Sequence, residues 1–437
     1  MKLKTWTIPV ILFLGLSVYL SFQSISKHIN FESSVDLALY ENVIWNTIHG
    51  NFYRTTIGPF PEIGEHNFLA DHIDFILLIY LPFYSIFSST KLLLILEAII
   101  ISSAIFPIYL LARENLKYPL LYPLVFAFYF PIYSITLFDF HPETAFIPLL
   151  VWFHYFSGKE SKISYLLFPL ILICKEEVAL ITFLMGFLYW WEGRKKQGRI
   201  ILLGSAAYFL LALISLSIFN PISSEPFHIQ RFLHPHKPYP QFYATLLFLF
   251  LPLAFLPLLS KYILLVFPYL VYTSISTNAN QSMPFTHHTF IAVPSLFIAA
   301  IDGQRVLERT FKGRLTFLNF APILPTLILF YWIGPLSPRF PFSVHREISD
   351  PKKYAELFQE LGKESGVFTE PNILPHFSRR REIRVLDFHK KYSKDEVLVL
   401  SGLESEERLE FLERHKLSHP SVFRDESIII LKKLDKD

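Results

Sequence analysis

Residues 27–72 read KHINFESSVDLALYENVIWNTIHGNFYRTTIGPFPEIGEHNFLADH, the only long polar segment in the first three quarters of an otherwise apolar chain. Connections between apolar segments are usually far shorter, so a loop of this length suggests a function. It places carboxylates and imidazoles, among them Asp36, Asp71 and His72, next to aromatic residues such as Tyr40. Such groups at a membrane surface suit acid–base or metal-assisted chemistry on a polar group carried by a lipid. A solvated surface loop is the alternative interpretation.

The composition is that of a polytopic membrane protein. Of the 437 residues, 52% are hydrophobic and only 18% are charged, and the mean hydropathy is +0.38. These values leave too few charges for a water-soluble protein of this length. The formal net charge of +3 gives no indication of nucleic-acid binding. The single cysteine, Cys174, excludes an internal disulfide. Lys2 and Lys4 precede about eighteen apolar residues without a cleavage site, which predicts an uncleaved anchor that starts in the cytoplasm.

Twelve apolar segments follow one another between about residues 5 and 335. The short segment at about 73–89, broken by Pro82, decides the sidedness of every later loop. If it lies in the interface or re-enters the membrane, about eleven spans remain, and before residue 336 fifteen Lys and Arg residues are on the cytoplasmic side and six outside. The positive-inside rule predicts a bias of this kind. We therefore predict a mainly α-helical, polytopic transmembrane bundle of about eleven spans in the plasma membrane.

The composition changes after the last apolar segment. Residues 336–437 carry 19 of the 40 basic residues, and short β-like runs at 366–369, 397–400 and 427–431 alternate with helical patterns at 351–363 and 404–415. This predicts a small, soluble α/β domain, which the same span count places outside the cytoplasm. The expected domains are therefore a transmembrane domain at 1–335, with its large outer loop at 27–72, and the C-terminal domain at 336–437.

Asp36 stands in a helical pattern that follows Ser33 and Ser34. On a helix, Asp36 and Tyr40 share a face one turn apart. If it takes part in catalysis, Asp36 would be a general base that takes the proton of an acceptor hydroxyl. A helix cap is the alternative role.

A second motif, at 138–143, reads FDFHPE. Asp139, His141 and Glu143 offer two carboxylates and an imidazole within a turn, which suits a divalent-cation site or the positioning of a sugar. Helix capping at a membrane boundary is the alternative, because Pro142 is well suited to open the next helix.

Lys175, Glu176 and Glu177 interrupt what would otherwise be one apolar run. Ionisable groups at that depth are costly and usually functional, so Lys175 would pair either with a donor phosphate or with a neighbouring glutamate. An outer turn between two short spans is the alternative. Further candidate phosphate contacts are His287, His288, Arg231, His234 and His236.

Several of these motifs together resemble a prokaryotic family of polytopic membrane proteins, the domain-of-unknown-function 2079 (DUF2079) proteins. The resemblance covers nearly the whole chain, through residues 36–50, 70–72, 139–143, 175–177 and 372–380. That family is similar to the GT-C glycosyltransferases, integral membrane enzymes that transfer a sugar from a polyprenyl-phosphate donor on the outer face. The resemblance implies that Asp36 is the acidic residue that takes part in catalysis. Leu37 stands where a second acid often follows it.

The resemblance also implies a site for substrate at the outer face. Asp139 would help to bind a metal, the donor phosphate or the acceptor, which leaves open a Mg²⁺ or Mn²⁺ ion on Asp139 and Glu143. The expected partners are the bilayer, the lipid-linked donor and a glycan, lipid or protein acceptor, without nucleic acid. A lipid or glycan transporter and a non-catalytic envelope protein are the alternatives. The residues expected to bind substrate are Tyr40, Asp71, His72, Asp139, His141, Glu143, Lys175, Glu176, Arg231, His287 and His288.

Overall fold

A computed structural model describes residues 6–233, 237–311, 316–361, 366–393, 395–402, 405–415 and 419–432. The predicted contacts of His234 and His236 lie outside these residues. Helices make up 64% of the chain, which confirms the mainly helical class. The α-helices are α1 Thr7–Ile29, α2 Val35–Ile48, α3 Leu81–Ile86, α4 Thr90–Ser102, α5 Ile105–Asn115, α6 Leu121–Ala127, α7 Phe130–Phe138, α8 Phe146–Gly158, α9 Ile163–Leu172, α10 Val178–Trp191, α11 Lys195–Phe219, α12 Gln230–Leu233, α13 Pro240–Phe250, α14 Phe267–Ile275, α15 Ala292–Thr310, α16 Ile323–Trp332, α17 Pro351–Glu360 and α18 Glu406–His415.

The strands are few and short. They are β1 Arg54–Thr55, β2 His66–Asn67, β3 Val367–Thr369, β4 Ile383–Val385, β5 Val397–Ser401, β6 Ser421–Arg424 and β7 Ile428–Leu431.

Four helical segments within the described residues are long and apolar enough to cross a membrane: Thr7–Ile29, Thr90–Asn115, Lys195–Phe219 and His287–Thr310. The pair α6 and α7, bent by 41°, would make a fifth. Five further apolar segments have only 10–17 residues, which is short for a bilayer that needs about 20. Eleven spans therefore stay a prediction. Proline is one reason for the short helices, since it removes a helical hydrogen bond, as Pro169 does inside α9.

The segment at about 73–89 contains no long helix. It forms a 3₁₀ turn at Phe75–Ile79 and the six-residue helix α3. Neither piece approaches the length of a span, which agrees with an interfacial or re-entrant path.

The chain divides into two compact units, which we call the helical unit and the mixed unit. The helical unit comprises Met1–Ser24, His72–Ile79 and Leu94–Ser343, and the mixed unit comprises Ile25–Asp71, Tyr80–Leu93 and Val344–Asp437. The first loop, expected to belong with the transmembrane domain, thus forms one unit with the C-terminal residues.

Within the helical unit, α10 and α11 pack closely because glycines face each other. A Cβ on Gly186 would lie 2.6 Å from the backbone nitrogen of Leu202, and one on Gly198 would lie 2.4 Å from that of Trp190. Small residues of this kind let membrane helices approach without a hydrophobic driving force. The short turn between them ends at Gly193 and Arg194, with Gly193 at a φ of +91°.

The mixed unit contains a five-stranded sheet of order β4-β3-β5-β7-β6. Strands β4, β3 and β5 are parallel, whereas β7 pairs antiparallel with both β5 and β6. Phe368, Leu398 and Leu431 pack with Phe411 of α18 in the core beside the sheet. Strands β3, β5 and β7 confirm the three predicted β-like runs, while β4 and β6 were not predicted.

Candidate functional site

Ionisable side chains of the helical unit meet where three short segments outside the α-helices come together. Glu143 lies in the 3₁₀ turn Pro142–Ala145 directly before α8, and Lys175 lies between α9 and α10. The Nζ of Lys175 donates to Oε1 of Glu143 at 2.9 Å, and only 3% and 0% of these side chains are exposed. Of the two roles considered for Lys175, the structure shows the pairing with a neighbouring glutamate.

His72 and Glu176 form a second pair beside the first. The Nδ1 of His72 lies 3.0 Å from Oε1 of Glu176, and Oε2 of the same carboxylate accepts the backbone N–H of Ile73 at 3.0 Å. Burial opposes ionisation of Glu176, yet His72 and Lys175 hold the pKa of its carboxyl at about 2. Glu176 is therefore an anion that anchors the start of the 72–79 segment.

Two more carboxyl groups lie in this cluster, and their pKa values are raised where that of Glu176 is lowered. Burial and the charge of Glu143 raise the pKa of Asp74 well above its usual range, although Lys175 and His72 oppose this. Burial likewise raises the pKa of Glu177, against the effect of Lys175. The cluster thus contains carboxyl groups that favour the ionised form and others that favour the protonated form. Perturbed pKa values of this kind are typical of functional sites.

Two imidazoles stack next to these carboxylates. The ring centroids of His141 and His287 are 3.7 Å apart, with 19° between the planes. The Nδ1 of His141 donates to the carbonyl of Asp139 at 2.9 Å, and its backbone N–H donates to Oε1 of Glu97 at 3.1 Å. Glu97, on α4, is fully buried. The FDFHPE motif is thus held by a buried acid from another helix.

The cation implied by the resemblance does not fit Glu143. One oxygen of this fully buried carboxylate already accepts from Lys175, so a metal ion there would face an ammonium at short range. Asp139 is buried at the end of α7. Glu143 is therefore not a metal ligand in this arrangement.

The remaining predicted residues of the helical unit lie near its loops. Arg231 is partly exposed on α12, and its backbone carbonyl accepts the N–H of Thr277 at 3.1 Å. The carbonyl of His288 accepts from the hydroxyl of Tyr272 at 3.4 Å. His72 stacks on His228, with centroids 4.7 Å apart.

Asp36, Tyr40 and Asp71 belong to the mixed unit. Asp36 is in the first turn of α2 and partly exposed, whereas the next eight residues of the helix are buried. Tyr40 packs edge-on against Phe68 at 5.6 Å. Asp71 is buried at the end of the 3₁₀ turn Phe68–Ala70.

A buried polar network holds α2 in the mixed unit. The carboxylate of Glu41 accepts from the hydroxyls of Tyr84 at 2.6 Å, Thr90 at 2.7 Å and Ser378 at 2.5 Å. The Nδ2 of Asn42 donates to the carbonyls of Ser378 and Arg380, both at 2.8 Å. The motif at 372–380 thus fixes the helix that bears Asp36.

Sequence reasoning omitted several of these residues from the predicted site. Asp74 and Glu177 were not among the residues expected to bind substrate, and Glu97 was not named. The signal for Glu97 was present, because a lone acid in an apolar run is costly in a membrane and therefore usually functional.

The comparisons agree with the membrane interpretation and leave the chemistry open. The model of the family described as predicted membrane protein (DUF2079) matches residues 27–419. A comparison with curated proteins finds no match.

Proposed function

The chain belongs to the DUF2079 family of predicted membrane proteins, and we propose that it is an integral-membrane glycosyltransferase. It would transfer a sugar from a polyprenyl-phosphate donor to a glycan, lipid or protein acceptor at the outer membrane face. The GT-C resemblance suggests this class.

The observation that carries the proposal is the buried cluster of Asp74, Glu143, Lys175 and Glu176, with the partly buried Glu177 beside it. Desolvating such groups in an apolar helical unit costs several kcal/mol per ion. A membrane protein retains such groups mainly where they bind a polar substrate or move an ion. The polar head of a lipid-linked sugar is a substrate of that kind.

Asp36 is the proposed base. Its side chain is partly exposed, and the Glu41 and Asn42 network fixes the helix on which it stands. Its carboxylate would take the proton of the acceptor hydroxyl, whose oxygen then bonds to the anomeric carbon. The bond from that carbon to the donor phosphate oxygen breaks, and polyprenyl phosphate leaves with the electron pair. Arg231, in the helical unit, stays a predicted phosphate contact, because Lys175 is occupied by Glu143.

The experiment uses the purified full chain with a panel of radiolabelled polyprenyl-phosphate sugars. We expect transfer from one donor, its loss in Asp36→Asn, and its retention in Glu62→Gln, which changes an exposed acid of the same loop. Full activity of Asp36→Asn would remove Asp36 from the mechanism.

A second candidate is a proton-coupled transporter of a lipid or glycan. It is favoured by Asp74 and Glu177, whose raised pKa values suit groups that bind and release a proton. Proteoliposomes that show substrate-dependent proton uptake, lost in Asp74→Asn, together with no sugar transfer from any donor, would favour this function over the first.

A further inference from the structure

A second polar cluster lies at the opposite ends of the helices that begin at the candidate site. Helix α8 begins after Glu143 and carries His154, α10 begins after Glu177 and is followed by Glu192, and α15 carries Asp302 and Arg305. At 1.5 Å per residue, the two clusters are roughly 16–22 Å apart along these helices. The second cluster is therefore separate from the site described above.

A cavity of about 60 Å³ lies within this second cluster. Its polar lining residues are Asn115, His154, Tyr262, Asp302 and Arg305. A cavity holds one water molecule for about every 10–15 Å³ of its volume. This cavity therefore has room for about four oxygen atoms. That is the size of a phosphate group.

The guanidinium of Arg305 is held in position at the wall. Its Nη2 pairs with Asp302, and its Nη1 donates to Oδ1 of Asn115 at 3.2 Å. Asp302 is itself fixed by the hydroxyl of Ser260 at 2.7 Å. The Nε of Arg305 is buried and has no acceptor among the residues that the structure describes. One N–H donor of a guanidinium group that is already held in position is thus left for a ligand.

The charged side chains that line the cavity are Arg305 and Asp302, and the other charged residues of the second cluster do not line it. Glu192 accepts from Tyr262 at 2.5 Å and from Lys261 at 2.7 Å, and it also pairs with Arg194. Together with Arg305 and Asp302, the cluster has three cations and two carboxylates. A buried arginine N–H donor, in a cluster whose net charge is positive, suits a phosphate oxyanion.

Exposed aromatic residues indicate the depth of this cluster. Trp190 and Trp191, at the end of α10 directly before Glu192, are 46% and 72% exposed. Tryptophan side chains concentrate at the headgroup level of a bilayer. The cavity therefore lies at the level where lipid phosphates are found.

From these observations we propose that the cavity binds a phosphate group, with Arg305 as its main contact. An anionic lipid headgroup and free phosphate share this chemistry. The site is distinct from the proposed glycosyl-transfer site and does not depend on that function.

The experiment measures lipid binding to the full chain by native mass spectrometry from mixed micelles. Phosphatidylglycerol is the anionic probe, phosphatidylcholine is the zwitterionic reference, and inorganic phosphate is added in a separate arm as a competitor. The test variant is Arg305→Gln. The matched control is Arg309→Gln, an exposed arginine one turn further along the same helix that does not line the cavity.

We expect one phosphatidylglycerol bound in preference to phosphatidylcholine, with affinity reduced about tenfold in Arg305→Gln and less than twofold in Arg309→Gln. Competition by millimolar inorganic phosphate would identify free phosphate as a sufficient ligand. Asn115→Asp, which adds a negative charge without a change of size, should weaken binding as well and keeps the test valid if Arg305→Gln does not fold. Equal binding of the two lipids without any effect of phosphate, or equal losses in the two arginine variants, would overturn the proposal.

Discussion

The ammonium of Lys175 lies 2.9 Å from Oε1 of Glu143, and both side chains are almost fully buried. Breaking such a pair leaves the other charge buried without a partner. We expect Lys175→Met to lower the free energy of unfolding by about 3–5 kcal/mol, measured by titration with sodium dodecyl sulfate. The double variant Lys175→Met with Glu143→Leu should recover most of this loss.

Lys159→Met is the matched control. Its ammonium also pairs with a glutamate, Glu114, but the two side chains are 43% and 39% exposed. A surface pair contributes about 0–1 kcal/mol. Similar losses in the two single variants would show that burial does not determine the contribution of the Lys175 pair.

The second prediction concerns acid stability. The pKa of Glu176 is about 2 in the folded protein against an ordinary value of 4.5, so its stabilising effect is complete above about pH 4.5 and disappears as the pH falls through about 2. Glu176→Gln should lower stability at pH 7 by on the order of 2–3 kcal/mol. The difference from the wild type should shrink between pH 4.5 and 2. A difference that stays constant across this range, as expected for the exposed control Glu225→Gln, would contradict the assignment.

The third prediction concerns the attachment of α2 to the 372–380 motif. Asn42→Leu leaves the carbonyls of Ser378 and Arg380 without their donor, at a cost of about 1–3 kcal/mol for each buried group. Trypsin should then cut at Arg379–Arg381 at least tenfold faster. Asn51→Leu, in the turn after α2, should leave the rate near that of the wild type. Unchanged cleavage in Asn42→Leu would show that the hydrogen bonds do not hold this segment.

The fourth prediction concerns a histidine in the mixed unit. The ring of His376 stacks on His28 at 4.3 Å, and its Nε2 donates to the carbonyl of His28 at 3.0 Å. Burial, with Lys91 and Arg379 nearby, lowers the pKa of His376 to about 4 from 6.5. The unfolded chain therefore binds more protons between these values, so stability should fall as the pH drops from 6.5 to 4.

The variant His376→Phe should lose less stability over this pH range than the wild type, by on the order of 1–3 kcal/mol. His345→Phe, which changes an exposed histidine, should behave as the wild type does. Melting temperatures from pH 7.5 to 4.5 test this. Parallel curves for the wild type and His376→Phe would contradict it.

The fifth prediction concerns sidedness. Replacement of the single cysteine by Cys174→Ala gives a background in which introduced cysteines can be labelled from outside intact cells. The span count predicts that Glu62→Cys is labelled in intact cells and that Lys196→Cys is labelled only after permeabilisation. Both positions are exposed. Labelling of both in intact cells would refute the predicted topology.

Much of the architecture followed from local patterns. The long apolar helices and strands β3, β5 and β7 were predictable because hydrophobic composition and periodicity report how a segment is buried. Span number was harder to predict, since an apolar run does not show where proline and glycine will break it into helices of 10–17 residues.

The pairs that build the candidate site were not predictable in the same way. Glu143 and Lys175 are 32 residues apart, His72 and Glu176 are 104 apart, and Asn42 and Ser378 are 336 apart. Periodicity is a local property, whereas such pairs depend on how distant segments pack. The motifs were recognised individually, and their partners were not.

Residue types alone indicate a mainly helical membrane protein with unusual charges in its apolar segments, because residue type sets the cost of leaving or entering water. The packing of the folded chain shows which charges neutralise one another, and it shows that the first polar loop forms one unit with the end of the chain. Those outcomes depend on distances of a few ångströms between residues far apart in the chain, and no local pattern records them.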